Sequence, residues 1–429
     1  MRIGFTELVL LFIIASVAVG PAVVRWVNRW LHRAERSYAA AARREAARRA
    51  AAAAEREIVL RRFQRLGILV LILAAVSLVY ALVFRPIDAE AAPYTAPLRR
   101  ETAAVQSAVE EQLSLGGYQA PSCVRERDGW VYFTAADTKG GSVLARMNAD
   151  GSGLASILTV EGEITSFDFD AAGEVWFTTV TPAGGALYKA RYDGWGAATE
   201  QVVGQIDGKA LSCPAAVTVD PEGRVYFTNA AAAPAEHGAQ AALRTELLAH
   251  TATGWVYVYD PAVRAVQRVL GGLAGASGLA LSPEGDTLYV SDLGSRCIWA
   301  VPANARELTA GGKGCAQFAA GLPGYPGSLA VDEEGCLYVA YCWAPSGWLE
   351  ARSEGTLVRG AALRLSQKSQ QKLVGLPSSS PSAEVLAPDG TPLRAFLGRD
   401  LGSASAICPA GSRVYLGTAG QDRLYWTRV

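Results

Sequence analysis

The sequence predicts an all-β domain, a six-bladed β-propeller, behind an N-terminal α-helical membrane region. Three observations predict it. A strand–turn–strand unit recurs six times after Gly117, each interval between copies holds enough residues for two more strands, and the long apolar runs are confined to the first 84 residues.

The membrane region comes first along the chain. At 429 residues the protein is too long for one small core, and half its residues are hydrophobic, an excess that is local to the start. The run Leu66–Phe84 (LGILVLILAAVSLVYALVF) carries no charge and is just long enough to cross the hydrocarbon core as a helix. A shorter run, Leu8–Val19, is followed by Gly20 and Pro21, which end one helix and allow another to begin. Beyond them Val23, Val27, Trp30 and Leu31 recur at helical spacing, while Arg25, Arg29, Arg33 and Arg36 fall on another face, as in a helix lying on an anionic membrane surface. The following AAAARREAARRAAAAAERE is almost wholly strong helix formers.

The net charge of zero conceals twelve Arg, four Glu and no Lys between residues 22 and 66. Arginine-rich loops stay in the cytoplasm, so the two flanking helices point outward. Everything from Arg85 is then expected on the extracytoplasmic side of an inner or plasma membrane, the periplasm in a bacterium. Anionic lipid, not nucleic acid, is the nearest partner for these arginines. The expected domains are therefore 1–65 (short membrane helix and basic cytoplasmic helix), 66–84 (transmembrane helix), 85–116 (a linker with a short helix around Arg99 to Leu113) and 117–429 (the propeller).

The six units are PSCVRERDGWVYFT, TSFDFDAAGEVWFT, PAAVTVDPEGRVYFT, ASGLALSPEGDTLYVS, PGSLAVDEEGCLYVA and SASAICPAGSRVYLG. Each reads as an alternating strand, an acidic or Pro-bearing turn ending in Gly, and a strand with an aromatic: Tyr132, Trp176, Tyr226, Tyr289, Tyr338 and Tyr415. Hairpin-like pairs such as VYVYDPAVRAVQRVL fill the intervals and give four strands per blade. A lone blade leaves both sheet faces bare, so the ring is stable only when all six stack and its ends close. The two longest intervals leave room for insertions. One, Ala230–Thr251, reads as a loop with a short helix, holds His237 and His250, and is expected to cover one mouth of the ring. Asp168, Asp220, Asp286 and Asp332 read as turn residues. The seven cysteines show no metal-type pairing; Cys297 and Cys315 are spaced for a bridge across one hairpin, with buried free thiols as the alternative.

Two resemblances follow from these residues. Glu7 before a short apolar helix, the Gly20–Pro21 hinge and a basic amphipathic helix resemble the TatA/TatB subunits of the twin-arginine translocase over about the first 35 residues. That resemblance implies assembly roles for Glu7, Gly20 and Pro21 and a translocase or other membrane-protein partner. A second span follows where that family has a soluble tail.

The second resemblance is carried by SCPAAVTVDPEGRVYFTNA, ELLAHTATGWVYVYDP, GLAGASGLALSPEGDTLYVSD and LPGYPGSLAVDEEGCLYVAYCW, within residues 212 to 343. These resemble the strictosidine synthase-like branch of the gluconolactonase and paraoxonase superfamily, whose metal-using members hydrolyse lactones or esters with calcium or another divalent ion at the central mouth. The family's metal ligands fall at Pro121, at Ala276-Ser277-Gly278 and at Gly327-Ser328, and the glutamate used by the metal-free synthase falls near Cys408 and Pro409. These positions offer hydroxyls or nothing where a hard divalent ion needs several oxygen ligands, so calcium affinity is expected to be weak or absent and no other cofactor is expected.

What remains at the mouth is a ring of small residues, Ser122, Thr165, Ser166, Ser277, Ser328 and Ser405. The expected ligand-binding residues are Asn229, His250, Ser277, Tyr325 and Ser328. The same small side chains also suit strands crowding an axis. A membrane-anchored module that binds a ligand or protein, a lactone or ester hydrolase, and an accessory of twin-arginine export are the three functions this sequence suggests. An acidic residue such as Glu163 reaching the axis, or a bound divalent ion, would favour the second.

Overall fold

The structure is a computed structural model that describes residues 20–31, 49–84, 90–109, 111–192, 197–375, 381–398 and 401–429. The chain divides into two compact units, Met1–Ile87 with Arg364–Ser366, and Asp88–Leu363 with Gln367–Val429.

In the first unit, residues 20–31 are helical and expose Val23, Val24, Trp26, Val27 and Trp30. Helix α1, Arg49–Val79, ends in a π-helical turn, Tyr80–Phe84. Among the described residues one stretch, Val59–Val83, is helical, long and apolar enough to cross a membrane by length and composition. Glu7 and the run before Gly20 lie outside the described residues.

The second unit is the six-bladed propeller. Blade 1 is formed by Gln119–Arg127, Trp130–Ala136, Ser142–Asn148 and Ala155–Val160, and blade 2 by Glu163–Phe169, Val175–Thr181, Gly184–Tyr192 and Ala197–Val203, all antiparallel. Blade 3 opens with Val217–Val219 and Val225–Asn229 and continues, after an insertion, with Gly254–Asp260 and Ala265–Leu273. Blade 4 is Ala276–Leu281, Thr287–Asp292, Cys297–Pro302 and Ala316–Ala319. Blade 5 pairs Tyr325–Val331 with Leu337–Trp343 and, after a second insertion, Ala383–Leu386 and Pro392–Leu397. Blade 6 contributes only three strands from the C-terminal end, Ala406–Ala410, Arg413–Gly417 and Arg423–Arg428.

The aromatic of every sequence unit lies on the second strand of its blade, and the residue after it points into the core. Phe133, Phe177, Phe227, Val290, Val339 and Leu416 are all buried. The apolar clusters lie between neighbouring blades: Val124, Phe133 and Tyr415 join blades 1 and 6, and Trp176, Phe227 and Tyr257 join blades 2 and 3. Burying each such side chain contributes about 1.5–3 kcal/mol.

The segment expected as a linker with a short helix instead forms two strands. Glu111–Ser114 is the fourth strand of blade 6, with Glu111 opposite Trp426 and Ser114 opposite Arg423, and Val105–Ala108 runs parallel to Pro392–Leu397 at the edge of blade 5. Residues with ordinary helix propensity become strand here because two sheet edges need partners, and tertiary pairing outweighs weak local preference. The ring is thus closed by hydrogen bonds between residues from opposite ends of the chain.

All seven cysteines are free. Blade 4 pairs Ile298 with Ala319 and Ala300 with Ala316, so Cys297 and Cys315 lie at opposite ends of that strand pair and the bridge does not form.

Both insertions are helical. The first carries α2, Ala239–Ala249, and the second carries α3 (Gly347–Glu350), α4 (Thr356–Ala362) and α5 (Gln367–Val374). A strap before the first strand is tied to them: Ala92 N–H donates to Ala249 O (2.7 Å) and Tyr94 N–H to Ser353 O (3.2 Å). Buried Arg359 organises this region, its guanidinium donating to Leu248 O, Arg352 O, Ser353 O and Ala92 O. Further along the strap, Arg100 pairs with fully buried Glu384 (2.7 Å), which also accepts from Ala103 N–H and the Tyr341 hydroxyl.

Candidate functional site

The first strands of the six blades surround the axis. On each, the residue two places before the buried apolar position is Ser122, Thr165, Ala215, Ser277, Gly327 or Ser405 in blade order. Four carry hydroxyls, and all four donate to a backbone carbonyl of the next blade. Ser122 bonds Ile164 O (3.0 Å), Thr165 bonds Pro214 O (2.9 Å), Ser277 bonds Pro326 O (2.8 Å), and Ser405 closes the circle on Pro121 O (2.6 Å). A second layer backs them from the neighbouring strand: Thr134 lies 2.7 Å from Ser122, Thr178 2.8 Å from Thr165 and Ser291 3.0 Å from Ser277. Between blades 4 and 5 the backbones approach so closely that a Cβ on Gly278 would lie 2.0 Å from Gly327 O. Most of the small polar ring is therefore a set of inter-blade staples.

Above the staples is a cavity of about 60 Å³, lined by Ser122, Thr165, Ser277 and Ser328 among others, by the thiols Cys123 and Cys342, and by Glu163. Helix α2 roofs it with Ala239, Gln240 and Leu243. Glu163 begins the first strand of blade 2 and accepts the Ala239 N–H (2.9 Å) at the N-terminus of that roof. Burial raises the Glu163 carboxyl above its ordinary range, and the Ala239 hydrogen bond only partly offsets this. Of the ring hydroxyls, Ser328 makes no hydrogen bond with described residues and is half-buried against the cavity. Arg125 lines both this cavity and an open cup of about 470 Å³ toward the other ends of the same strands.

The expected ligand residues separate. Ser277 and Ser328 line the cavity. The Asn229 side-chain oxygen instead accepts from Ser212 N–H (3.0 Å) and Cys213 N–H (2.8 Å), which fixes the turn entering blade 3. The Tyr325 hydroxyl accepts from Ser346 N–H (3.3 Å) beneath the second insertion. His250 ends α2 in a left-handed conformation, with its ring stacked 3.7 Å from that of Tyr94. Burial, reinforced by the Arg359 charge, lowers its pKa to about 4. Neither His250 nor the exposed His237 lines the cavity, so among the described residues no imidazole stands beside its hydroxyls. Asp168, read as a turn residue, spans blades 2 and 3 by accepting from the Thr218 hydroxyl and Val219 N–H (3.0 Å each). Asp220 and Asp332 hold their own turns, accepting from Arg224 N–H and Cys336 N–H.

The residues present do not fit a divalent ion at the axis. Glu163 is the cavity's one carboxylate, the hydroxyls beside it are engaged between blades, and no group of three or more potential ligands occurs among the described residues. An oxygen-bound cation of the calcium type takes six to eight oxygens.

Residues 198–369 match the SMP-30/gluconolactonase/LRE-like region, which encloses the motif-bearing stretch from 212 to 343. A curated relative, strictosidine synthase-like 6 of Arabidopsis thaliana, is 26% identical over 239 residues. That match covers 55% of this chain and 59% of the relative, less than two thirds of its length. Among solved structures, a gluconolactonase from Xanthomonas campestris superposes with a TM-score of 0.52 at 20% identity, over 80% of this chain and 98% of that one. A luciferin-regenerating enzyme superposes with a TM-score of 0.50 at 15% identity, over 74% and 94%. Fold and comparisons together define a six-bladed propeller whose fold is similar to that of a gluconolactonase. Its particular form has a strictosidine synthase-like relative, two helical insertions and a stapled axis.

Proposed function

We propose that this protein is a membrane-anchored, extracytoplasmic propeller that binds a small polar ligand at its axial cavity without transforming it. The observation that supports this reading is the stapling of the axis. Four hydroxyls of the kind that serve as nucleophiles or ligands donate to neighbouring blades, and among the described residues no histidine lines the cavity to act as a base. Ser328, Glu163, Gln240 and Arg125 remain as polar groups a ligand can meet. The charge-free run Leu66–Phe84 before the propeller and the arginine-rich stretch preceding it support the anchor and its outward orientation.

A second reading, hydrolysis of lactones or esters, is favoured by one observation: Glu163 reaches the axis with its carboxyl raised toward the range of a general acid or base. Both readings meet in one experiment on the full chain in detergent micelles, a thermal-midpoint screen with sugar lactones, sugar acids and calcium beside lactone and aryl-ester turnover assays. The expected outcome is a ligand that raises the midpoint, a rise reduced in Ser328→Ala, with no turnover and no calcium shift. Turnover that disappears in Glu163→Gln would replace the binding module with the hydrolase.

A further inference from the structure

At about 60 Å³ the axial cavity is far below the ~300 Å³ at which pockets for small molecules begin. If this cavity is the ligand site, on which the following rests, its roof has to move. The two ends of α2 are both packed, with Ala239, Ala241, Ala242 and Leu243 buried at the first, but they are hydrogen-bonded very differently. At the C-terminal end, Arg359 holds Leu248 O and Ala249 O, Ala92 N–H holds Ala249 O, and His250 stacks on Tyr94. Glu246, buried in the last turns, accepts from the Thr251 and Thr253 hydroxyls and from Ala252 N–H. At the N-terminal end the bond to the propeller ring is the one from Ala239 N–H to Glu163.

The N-terminal geometry is built around that bond. Gly238 precedes the helix at φ 88°, and its own residue supplies no side-chain cap. A Cβ there would lie 2.8 Å from Glu163 Oε2, so glycine serves both the backbone conformation and the approach of the carboxylate. A carboxylate contributed by blade 2 therefore caps a helix that belongs to blade 3, at the helix end where a negative charge is favoured.

We propose that Glu163 is the latch of a lid: α2 swings about its firmly tied C-terminal end, and release of Ala239 from Glu163 opens the axial cavity. Two free thiols beneath the roof, Cys123 and Cys342, report on opening, and Cys297, buried in blade 4, reports on unfolding. The test is maleimide labelling of the full chain in detergent, with each cysteine followed by peptide mass spectrometry. In Glu163→Ala, Cys123 and Cys342 are expected to react about tenfold faster or more, the scale of one lost charge-assisted hydrogen bond, with Cys297 unchanged. Glu163→Gln, whose amide oxygen still accepts from Ala239, should fall between. Equal rates in the wild type and Glu163→Ala overturn the latch, and so does a parallel rise at Cys297. Because labelling needs no ligand, the latch is decided independently of whether the cavity binds one.

Discussion

Glu246 and His250 lie one helical turn apart on α2 and are shifted in opposite senses. Burial pushes the Glu246 carboxyl up from 4.5 to about 7, against the pull of its Thr251, Ala252 and Thr253 donors. Between those values the folded protein holds a proton that the unfolded chain has released, so this residue makes stability fall as pH rises. His250 goes from 6.5 down to about 4. Between those values the unfolded chain holds the extra proton, so this residue makes stability rise with pH. In the wild type the two slopes oppose each other over their shared window. Relative to the wild type, the slope of the urea midpoint against pH should become more positive in Glu246→Gln between pH 4.5 and 7, and more negative in His250→Asn between pH 4 and 6.5. Each change is at most about 1.4 kcal/mol per pH unit. A profile unchanged from the wild type in both variants contradicts these environments. Sequence reading placed His250 at the mouth because histidines in an insertion beside a ring suggest a site. What fixes the residue instead, stacking on Tyr94 and the charge of Arg359, comes from segments more than a hundred residues away in each direction.

The strand nearest the axis is the element whose role was half legible. Small residues where six strands crowd together were readable from the repeat, as was the alternative that they form a binding ring. Which hydroxyls are consumed was not, since a staple depends on the offset between blades. Ser122→Ala, Ser277→Ala and Ser405→Ala are each expected to lower stability by about 1 kcal/mol, seen as a lower urea midpoint with an unchanged slope. Gly278→Ala meets backbone at 2.0 Å and should cost about 3 kcal/mol or more. A serine series that costs nothing would mean the staples are incidental to ring stability. From sequence Glu163 is legible only as an acid whose reach to the axis would favour hydrolysis, and its partner is the backbone of a helix 76 residues later. Buried Arg359 and Glu384 gave no signal at all, because neither sits in a motif and each is satisfied by backbone or partners distant in sequence.

At the scale of the whole molecule, the six aromatic-bearing units made blade number and order legible, since a repeat states its own period. The closure was not, because VQSA and EQLS carry little of the alternation or β-branching that marks strands. A chain beginning at Gly117 lacks the fourth strand of blade 6, the edge strand of blade 5 and the strap. It should melt at a clearly lower temperature and be cut by protease within blade 6 sooner than a chain beginning at Glu90. Equal melting and equal resistance would show that the N-terminal strands are dispensable.

The same closure sets a timetable. Glu111–Ser114 leaves the ribosome hundreds of residues before its partner Arg423–Arg428, so the ring stays unsealed throughout synthesis while blades 1 to 5 accumulate. Pairings this remote in sequence form late and slowly, and until they do Glu111–Ser114 and the outer edge of blade 6 remain open to strands from other molecules. For this protein the interval between the first strand and the last is therefore the period of greatest exposure to misassembly, and it ends only when Arg423–Arg428 arrives.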